Sequence, residues 1–393
     1  MSIERAKKNL TRRACLGALA AGAATLATQA WGEPVAADIS TPKPDPVVKR
    51  DYSSRVNRIV ERAVVIDMLA PLKLDLRPES YAGKLSDAEA AMYRASHVTA
   101  FHNSIGVGGP TAYDDALSFL AGWNGFVARN GEVFTLVDTV EDIERAKAAR
   151  KVAVIMGLQN AEQFRQVSDV LAFRQMGLRC AQLTYNTQNL LGSGSTERID
   201  GGVTDYGVEI IREMNRLGVL VDVSHCGERT TLDAIEISAG PIAITHSNCR
   251  ALNNHPRLKT DEAIRKLAAK GGVIGLTGVR NFVKDREPTT IEDVVDHIDH
   301  VVKLVGIDHV GIGTDSDLMG YDRLPAEMYR QIKTGYKSSY AFREKIDTDG
   351  FNNPDKMFSL TDALLRRGYS EANILAVLGG NFRRLLGTAW SAK

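Results

Sequence analysis

The fold is decided by the stretch Val219-Leu220-Val221-Asp222-Val223-Ser224-His225, which is followed after a helix-length segment by Ala239-Gly240-Pro241-Ile242-Ala243-Ile244-Thr245-His246. Both are short apolar, β-branched runs bounded by turn formers, which is the pattern of a β-α-β unit with parallel strands. Each run ends in a histidine, and the carboxyl end of a buried parallel strand is where a side chain first meets a cleft. One such histidine alone would most simply be a core residue, but the pair predicts a metal or catalytic site.

Similar runs recur along the chain and predict eight strands that alternate with helices. The predicted strands occupy residues 63–67, 97–103, 152–158, 178–184, 219–225, 239–246, 273–277 and 309–313. Glycines such as Gly218 and Gly306 follow the helices that lead into strands, as expected of helix-to-strand turns. The alternation predicts an α/β fold, a closed (β/α)8 TIM barrel. A doubly wound open sheet is the alternative, but no Gly-x-Gly-x-x-Gly sequence follows the first strand to support it.

The chain divides into a leader, a tether and one barrel domain. Arg12 and Arg13 precede the apolar, acid-free run 14–27 and the small-residue ending Thr28-Gln29-Ala30, so residues 1–30 resemble a twin-arginine signal peptide that exports the protein to the periplasm. An uncleaved membrane anchor is the alternative. The proline-rich residues 31–50 predict a tether. Residues 51–393 form the barrel, with a polar insertion at about 318–354 after strand eight.

Composition narrows the class of partner. The 393 residues carry 49 Lys and Arg against 48 Asp and Glu, a formal net charge of +1. This balance gives no electrostatic reason to expect binding to nucleic acid or to an anionic membrane. The only expected membrane contact is through the signal segment, if that segment is not cleaved. We therefore expect a small-molecule partner, and the sequence is also compatible with a homodimer.

Cys226 and Cys249 each lie shortly after a strand-end histidine. We expect them to be small buried thiols, and one disulfide bridge between them is the alternative.

The predicted strands deliver polar side chains to the mouth of the barrel. These are Asp67, His102, Gln159, Tyr185, His225, His246, Thr277 and Asp315. Neutral imidazoles and carboxylates are suitable ligands for zinc, which activates water and polarises carbonyl groups. A carboxylate that is not a ligand can take a proton from the attacking water, and we assign that role to Asp315. The alternative for Asp315 is a structural acid bonded to a nearby loop.

Several motifs resemble the renal or membrane dipeptidase family, zinc (β/α)8 barrels of the metal-dependent hydrolase type in the amidohydrolase superfamily. The matching segments are 221–225, 244–247, 255–257 with 260–261, 296–300, 309–315 and 379–382. The resemblance implies that His225 and His246 bind one zinc, that Arg257 holds a substrate carboxylate and that Asp315 is the acid near the reaction centre. The guanidinium of Arg257 suits the binding of a carboxylate, because it can donate two parallel hydrogen bonds to it.

The first half of the chain departs from that family pattern. The family's His-x-Asp pair after strand one is replaced by Leu69 and Pro71, and neither can bind a metal. The glutamate that bridges two metals corresponds to Gln159, and the substrate-contacting histidine corresponds to Tyr185. A bridged pair of metals needs an anionic bridge and ligands on both sides. We therefore expect one zinc ion rather than two, with Gln159 as a further ligand and Tyr185 contacting substrate.

These residues support three hypotheses. The first is a metallohydrolase that cleaves a dipeptide or related small amide with a free carboxylate. The second is a lyase or dehydratase acting on a small carboxylate in the same barrel, since the bridging carboxylate is missing. The third, for the same reason, is a binding protein without catalytic activity.

Overall fold

The computed structural model describes residues 51–391. The predicted signal peptide and tether lie outside the described residues. No helix within residues 51–391 combines the length and the apolar character needed to cross a bilayer.

The described chain forms a closed barrel of eight parallel strands surrounded by helices, as predicted. The sheet runs in the order β2-β1-β9-β8-β7-β6-β5-β4-β3, and pairing between β2 and β4 closes it. The strands are β1 Ile66–Asp67, β2 Ala100–Ile105, β3 Phe134–Leu136, β4 Val152–Leu158, β5 Leu178–Gln182, β6 Leu220–Asp222, β7 Ala243–Ser247, β8 Val273–Leu276 and β9 Val310–Ile312. Strand β3 is extra to the ring and pairs only with the first residues of β4.

Helices cover the outside of the ring. They are α1 Ser54–Arg62, α2 Asp87–Ala95, α3 Ala112–Arg129, α4 Val140–Ala148, α5 Asp169–Gln175, α6 Asp205–Leu217, α7 Glu228–Ile237, α8 Asp261–Ala269, α9 Arg280–Val283, α10 Ile291–Val305, α11 Ala326–Thr334, α12 Lys356–Arg366, α13 Glu371–Leu375 and α14 Asn381–Ala389. Helix α11 lies in the predicted insertion. Helix α6 shows typical residues at its two ends. The Thr204 side chain caps its start by accepting a hydrogen bond from Gly207 N, and Gly218 ends it in the left-handed conformation.

Several details of the structure differ from the sequence prediction. The second strand begins at Ala100 rather than at residue 97, because His97 has a positive φ of 55° and lies in the turn after α2. The short strand β3 was not predicted. Helix α14 was also missed, because Gly379-Gly380 resembles a helix stop. In the fold, Gly379 instead allows close packing against the chain before β1, where an added Cβ would lie 2.0 Å from the carbonyl oxygen of Val64.

The barrel interior is tightly packed where strands β7 and β9 approach each other. A Cβ atom on Gly313 would lie 1.9 Å from the backbone oxygen of Thr245. Backbone cannot move away as a flexible side chain can, so only glycine fits here. This contact brings the ends of β7 and β9 together and places His246 and Asp315 at the same mouth.

We expect Gly313→Ala to lower the free energy of unfolding by at least about 2 kcal/mol, because the added methyl group overpacks the barrel interior. Urea unfolding followed by circular dichroism measures this change. Gly240→Ala is the matched control, since a Cβ added at Gly240 would meet nothing within 4 Å. Equal stability of the two variants would contradict the packing argument.

Candidate active site

A buried carboxylate, Asp222, fixes the two strand ends that carry the histidines. One oxygen accepts hydrogen bonds from Ser224 N (3.0 Å), Ser224 Oγ (2.6 Å) and Thr245 N (3.0 Å), and the other accepts from Thr245 Oγ1 (2.6 Å). The chain turns after Asp222, with Cys226 N donating to Val223 O. His225 therefore lies on a turn and not in the strand, while His246 lies within β7. The buried hydrogen bonds hold both in a fixed relation.

The two predicted metal ligands face each other. Their Nε2 atoms are 2.8 Å apart, and the side chains are buried, with 2% and 0% of His225 and His246 exposed. Nδ1 of His225 lies 2.8 Å from Asn186 Oδ1, and Nδ1 of His246 lies 2.8 Å from Thr245 Oγ1. An amide oxygen can only accept, and the Thr245 hydroxyl already donates to Asp222. Both Nδ1 atoms therefore carry the hydrogen, and both Nε2 atoms present lone pairs.

Electrostatics keep both imidazoles neutral. Burial, followed by the positive charge of Arg257, holds the pKa of His225 and of His246 well below the usual value of 6.5. Two facing lone pairs at this separation repel each other unless both are bound to the same cation. Neutral imidazoles whose outer nitrogens donate to oxygen atoms are also the typical state of metal-binding histidines. The pair thus fits one divalent metal ion.

Asp67 and Leu69, at the end of the first strand, add no ligand to the histidine pair. Within residues 51–391, no group of three or more His, Cys, Asp or Glu side chains could hold a metal ion. Asp67 is committed elsewhere, because its two carboxylate oxygens accept from Thr314 N (2.8 Å) and Thr314 Oγ1 (2.7 Å). Leu69 is buried and apolar where the family pattern has a ligand. His225 and His246 therefore supply the two nitrogen atoms of the candidate metal site, and the number of ions stays a prediction.

Arg257 lies beside the histidine pair, as predicted, and only 1% of it is exposed. Its Nη1 donates to Ser224 O, its Nε to Tyr340 Oη (3.2 Å) and its Nη2 to His246 O (3.4 Å). A guanidinium has five N–H donors, so two remain for a ligand. Arg257 thus combines a fixed position with spare capacity to bind a carboxylate.

Asp315 lies just beyond the end of β9 and is half-buried. Its backbone N donates to Leu69 O (2.8 Å), and its φ of 57° is in the left-handed region, where Asp is among the more tolerant residues. Burial raises the pKa of Asp315 to about 7, with Arg257 lowering it and Asp67 raising it. A carboxyl group with a pKa near neutrality can exchange a proton at physiological pH, as a general base requires.

The other two predicted residues differ in their placement. Tyr185 stacks on His225 with ring centroids 4.2 Å apart, and its hydroxyl lies 2.8 Å from that of Tyr336. Gln159 is half-buried, and its amide nitrogen lies 3.4 Å from Ser104 O. The glutamine that contacts the pair is Gln182, whose Oε1 accepts from His225 N (3.3 Å). The role of Gln159 as a ligand stays a prediction.

Sequence reasoning missed two residues that support the site. Asn186 holds His225, and its place directly after Tyr185 at a strand end was a signal that could have identified it. Tyr340 lies in the insertion after β9, 83 residues from Arg257, and nothing in the sequence pattern pointed to it. The cysteines Cys180, Cys226 and Cys249 are buried free thiols, so Cys226 and Cys249 do not form a bridge.

Comparisons with known proteins identify the family of the chain. The profile of the family described as Membrane dipeptidase (Peptidase family M19) matches residues 53–333. The dipeptidase tcpJ of Claviceps purpurea is 30% identical over 250 residues, which are 63% of this chain and 53% of that protein. The chain spans about half the length of the curated relatives it matches.

Solved structures share the fold. An amidohydrolase from Pseudomonas aeruginosa is similar with a TM-score of 0.74 and 30% identity, over 85% of this chain and 99% of that one. A metallopeptidase from Rhodobacter sphaeroides, liganded with a phosphinate mimic of the dipeptide L-Ala-D-Ala, has a TM-score of 0.68 and 21% identity, over 84% of this chain and 99% of that one. The second likeness supports the fold alone.

We expect zinc to stabilise the protein through the His225–His246 pair. At a free zinc concentration 100 times the dissociation constant, binding to the folded state alone adds about 2.7 kcal/mol to the free energy of unfolding. Thermal unfolding after chelation, with and without added zinc, measures the shift. His246→Ala should abolish it. His309→Ala should preserve it, because His309 is bound to Gly272 O away from the pair. A shift that survives in His246→Ala would place the metal elsewhere.

Proposed function

The chain belongs to the membrane dipeptidase family, peptidase family M19, and on this premise we propose that it is a metallohydrolase that cleaves a dipeptide or a related small amide with a free carboxylate. One observation supports the proposal most strongly: the Nε2 atoms of two neutral imidazoles face each other at 2.8 Å. The buried guanidinium of Arg257 lies beside them, and its charge acts on the half-buried carboxyl group of Asp315. Relatives named as dipeptidases make this the expected activity.

The residues divide the work of hydrolysis. His225 and His246 would hold one zinc ion, which supplies Lewis acidity that polarises the scissile carbonyl group. Arg257 binds the substrate carboxylate with its two spare N–H donors and fixes the distance from that carboxylate to the scissile bond. Asp315, when ionised, accepts a proton from the attacking water and can then return it to the leaving amine. Tyr185 covers one face of His225 and shields it from solvent.

The setting of this activity is also a proposal. The twin-arginine-type segment in residues 1–30 supports export and action in the periplasm, as a monomer or a homodimer. Two zinc ions in the family manner are not part of the proposal, since Leu69, Pro71 and Gln159 occupy positions that would carry ligands.

We expect Arg257→Met to raise KM for dipeptides about 10- to 100-fold, because a charge-assisted pair of hydrogen bonds to the carboxylate is lost. Steady-state kinetics with each dipeptide and its C-terminal amide separate this role from a packing defect. The wild-type protein should strongly prefer the free carboxylate, and the variant should barely distinguish the two. A variant that keeps the wild-type preference would exclude Arg257 as the carboxylate-binding residue.

We expect kcat/KM to fall on the acid side of about pH 7, because Asp315 must be ionised and its pKa is raised to about 7. Arg257 lowers that pKa, so Arg257→Met should move the acid limb to higher pH. Asp315→Asn should lower kcat by about 10²- to 10⁴-fold, with zinc binding retained. Rate profiles between pH 5 and 9 test these expectations. An acid limb near pH 4 would show that Asp315 is not the base.

A further inference from the structure

Tyr340, a side chain of the insertion after β9, reaches Arg257 and Asn186 in the site. Residue Tyr340 follows helix α11 and is 4% exposed. Asp317 anchors the start of the insertion by accepting from Met319 N and Gly320 N, each at 2.9 Å. The insertion therefore folds over the carboxyl ends of the strands from a fixed base, with Tyr340 buried beneath it.

The Tyr340 hydroxyl joins the two halves of the site. It accepts a hydrogen bond from Arg257 Nε (3.2 Å) and donates one to Asn186 Oδ1 (3.3 Å). That amide oxygen is the same atom that accepts from His225 Nδ1 (2.8 Å). One hydroxyl group thus contacts both the proposed carboxylate-binding residue and the residue that orients a proposed metal ligand.

Several contacts fix where this hydroxyl lies. The backbone oxygen of Tyr340 accepts from Asn281 Nδ2 (2.6 Å) and His255 Nε2 (3.1 Å). The ring stacks on Tyr336 at 4.5 Å and meets Phe282 edge-on at 5.3 Å. The next residue, Ala341, has a φ of 51°, so the chain turns sharply after it has placed the ring.

Closure also controls access. Neither histidine nor Arg257 is more than 2% exposed, so a substrate reaches them only when the insertion opens. We propose that Tyr340 is a positioning residue: closure of the insertion returns its hydroxyl to Asn186 and Arg257, and so completes the metal-binding and carboxylate-binding geometry around a bound substrate. This inference rests on the proposed function. It makes the insertion part of the catalytic cycle, as in enzymes whose lids assemble the active site on closing.

Tyr340→Phe tests the proposal, because it removes the hydroxyl and keeps the ring. We expect zinc affinity, measured by competition with a chromogenic chelator, to fall about tenfold, as for other outer contacts to metal ligands. We expect kcat for dipeptides also to fall about tenfold, while KM changes less than about threefold, because the orientation of the site is affected more than the binding of the ground state.

The matched control is Tyr329→Phe. Tyr329 also lies in the insertion, but its hydroxyl contacts Asp322, Glu344 and Ile346 on the outer side. This variant should keep the wild-type zinc affinity and kcat. Equal losses in both variants would show general loosening of the insertion and overturn the proposal. Unchanged zinc affinity and kcat in Tyr340→Phe would overturn it as well.

The zinc measurement separates this inference from the proposed hydrolase activity. A wild-type protein that binds zinc but cleaves no dipeptide would contradict the hydrolase, whereas a selective loss of zinc affinity in Tyr340→Phe would still support the positioning role. Conversely, dipeptide cleavage that is unaffected in Tyr340→Phe would leave the hydrolase intact and remove the role of the insertion. Hydrogen exchange of residues 326–345 provides a check, because added phosphinate mimic of L-Ala-D-Ala should slow exchange in the wild-type protein and less so in Tyr340→Phe.

Discussion

The site depends on one buried carboxylate, that of Asp222. Its oxygens receive four hydrogen bonds from Ser224 and Thr245, which hold the turn after β6 against the end of β7. The same bonds decide the protonation of the site, because the Thr245 hydroxyl that donates to Asp222 must accept from His246. A structural interaction thus determines which nitrogen of a proposed metal ligand carries its lone pair. The carboxylate of Asp67 accepts similar hydrogen bonds from Thr314 just after β9. These bonds hold the chain next to Asp315.

Burial tunes the groups of the site in opposite directions. It lowers the pKa of His225 and His246 and raises the pKa of Asp315, since a low-dielectric environment disfavours the charged form of each. The imidazoles are therefore neutral, as the proposed binding of a cation requires. The pKa of the Asp315 carboxyl group is raised to about 7, which suits the proposed proton transfer. Arg257 contributes to both effects. Its positive charge lowers the pKa of both histidines and of Asp315. The residue proposed to bind the substrate carboxylate therefore also acts on the groups proposed to bind the metal and to transfer the proton.

Leu69, which stands where the family resemblance implies a metal ligand, is packed as a core residue. Asp67 is bonded to Thr314. The groups proposed to act lie near the ends of three strands: His225 on the turn after β6, His246 in β7 and Asp315 just beyond β9. The insertion after β9 covers these groups, and its residue Tyr340 is hydrogen-bonded to both Arg257 and Asn186. The side of the mouth near β1 thus carries Leu69 in place of a ligand, and aromatic side chains of the insertion cover the side with the histidine pair.

The sequence by itself determined the barrel, its strand ends and most of the candidate site. Periodicity and glycine stops are local signals, and strand-end placement follows from them, so His225, His246 and Asp315 could be named before the fold was known. Arg257 could be named only from the family resemblance of the motif around it. Only the tertiary structure decided which groups touch. The contact of Gln182 with His225, the shifted start of β2 and the contacts of Tyr340 all join distant segments. Hydrogen bonds and desolvation act through space over a few ångströms, and separation along the chain does not encode them.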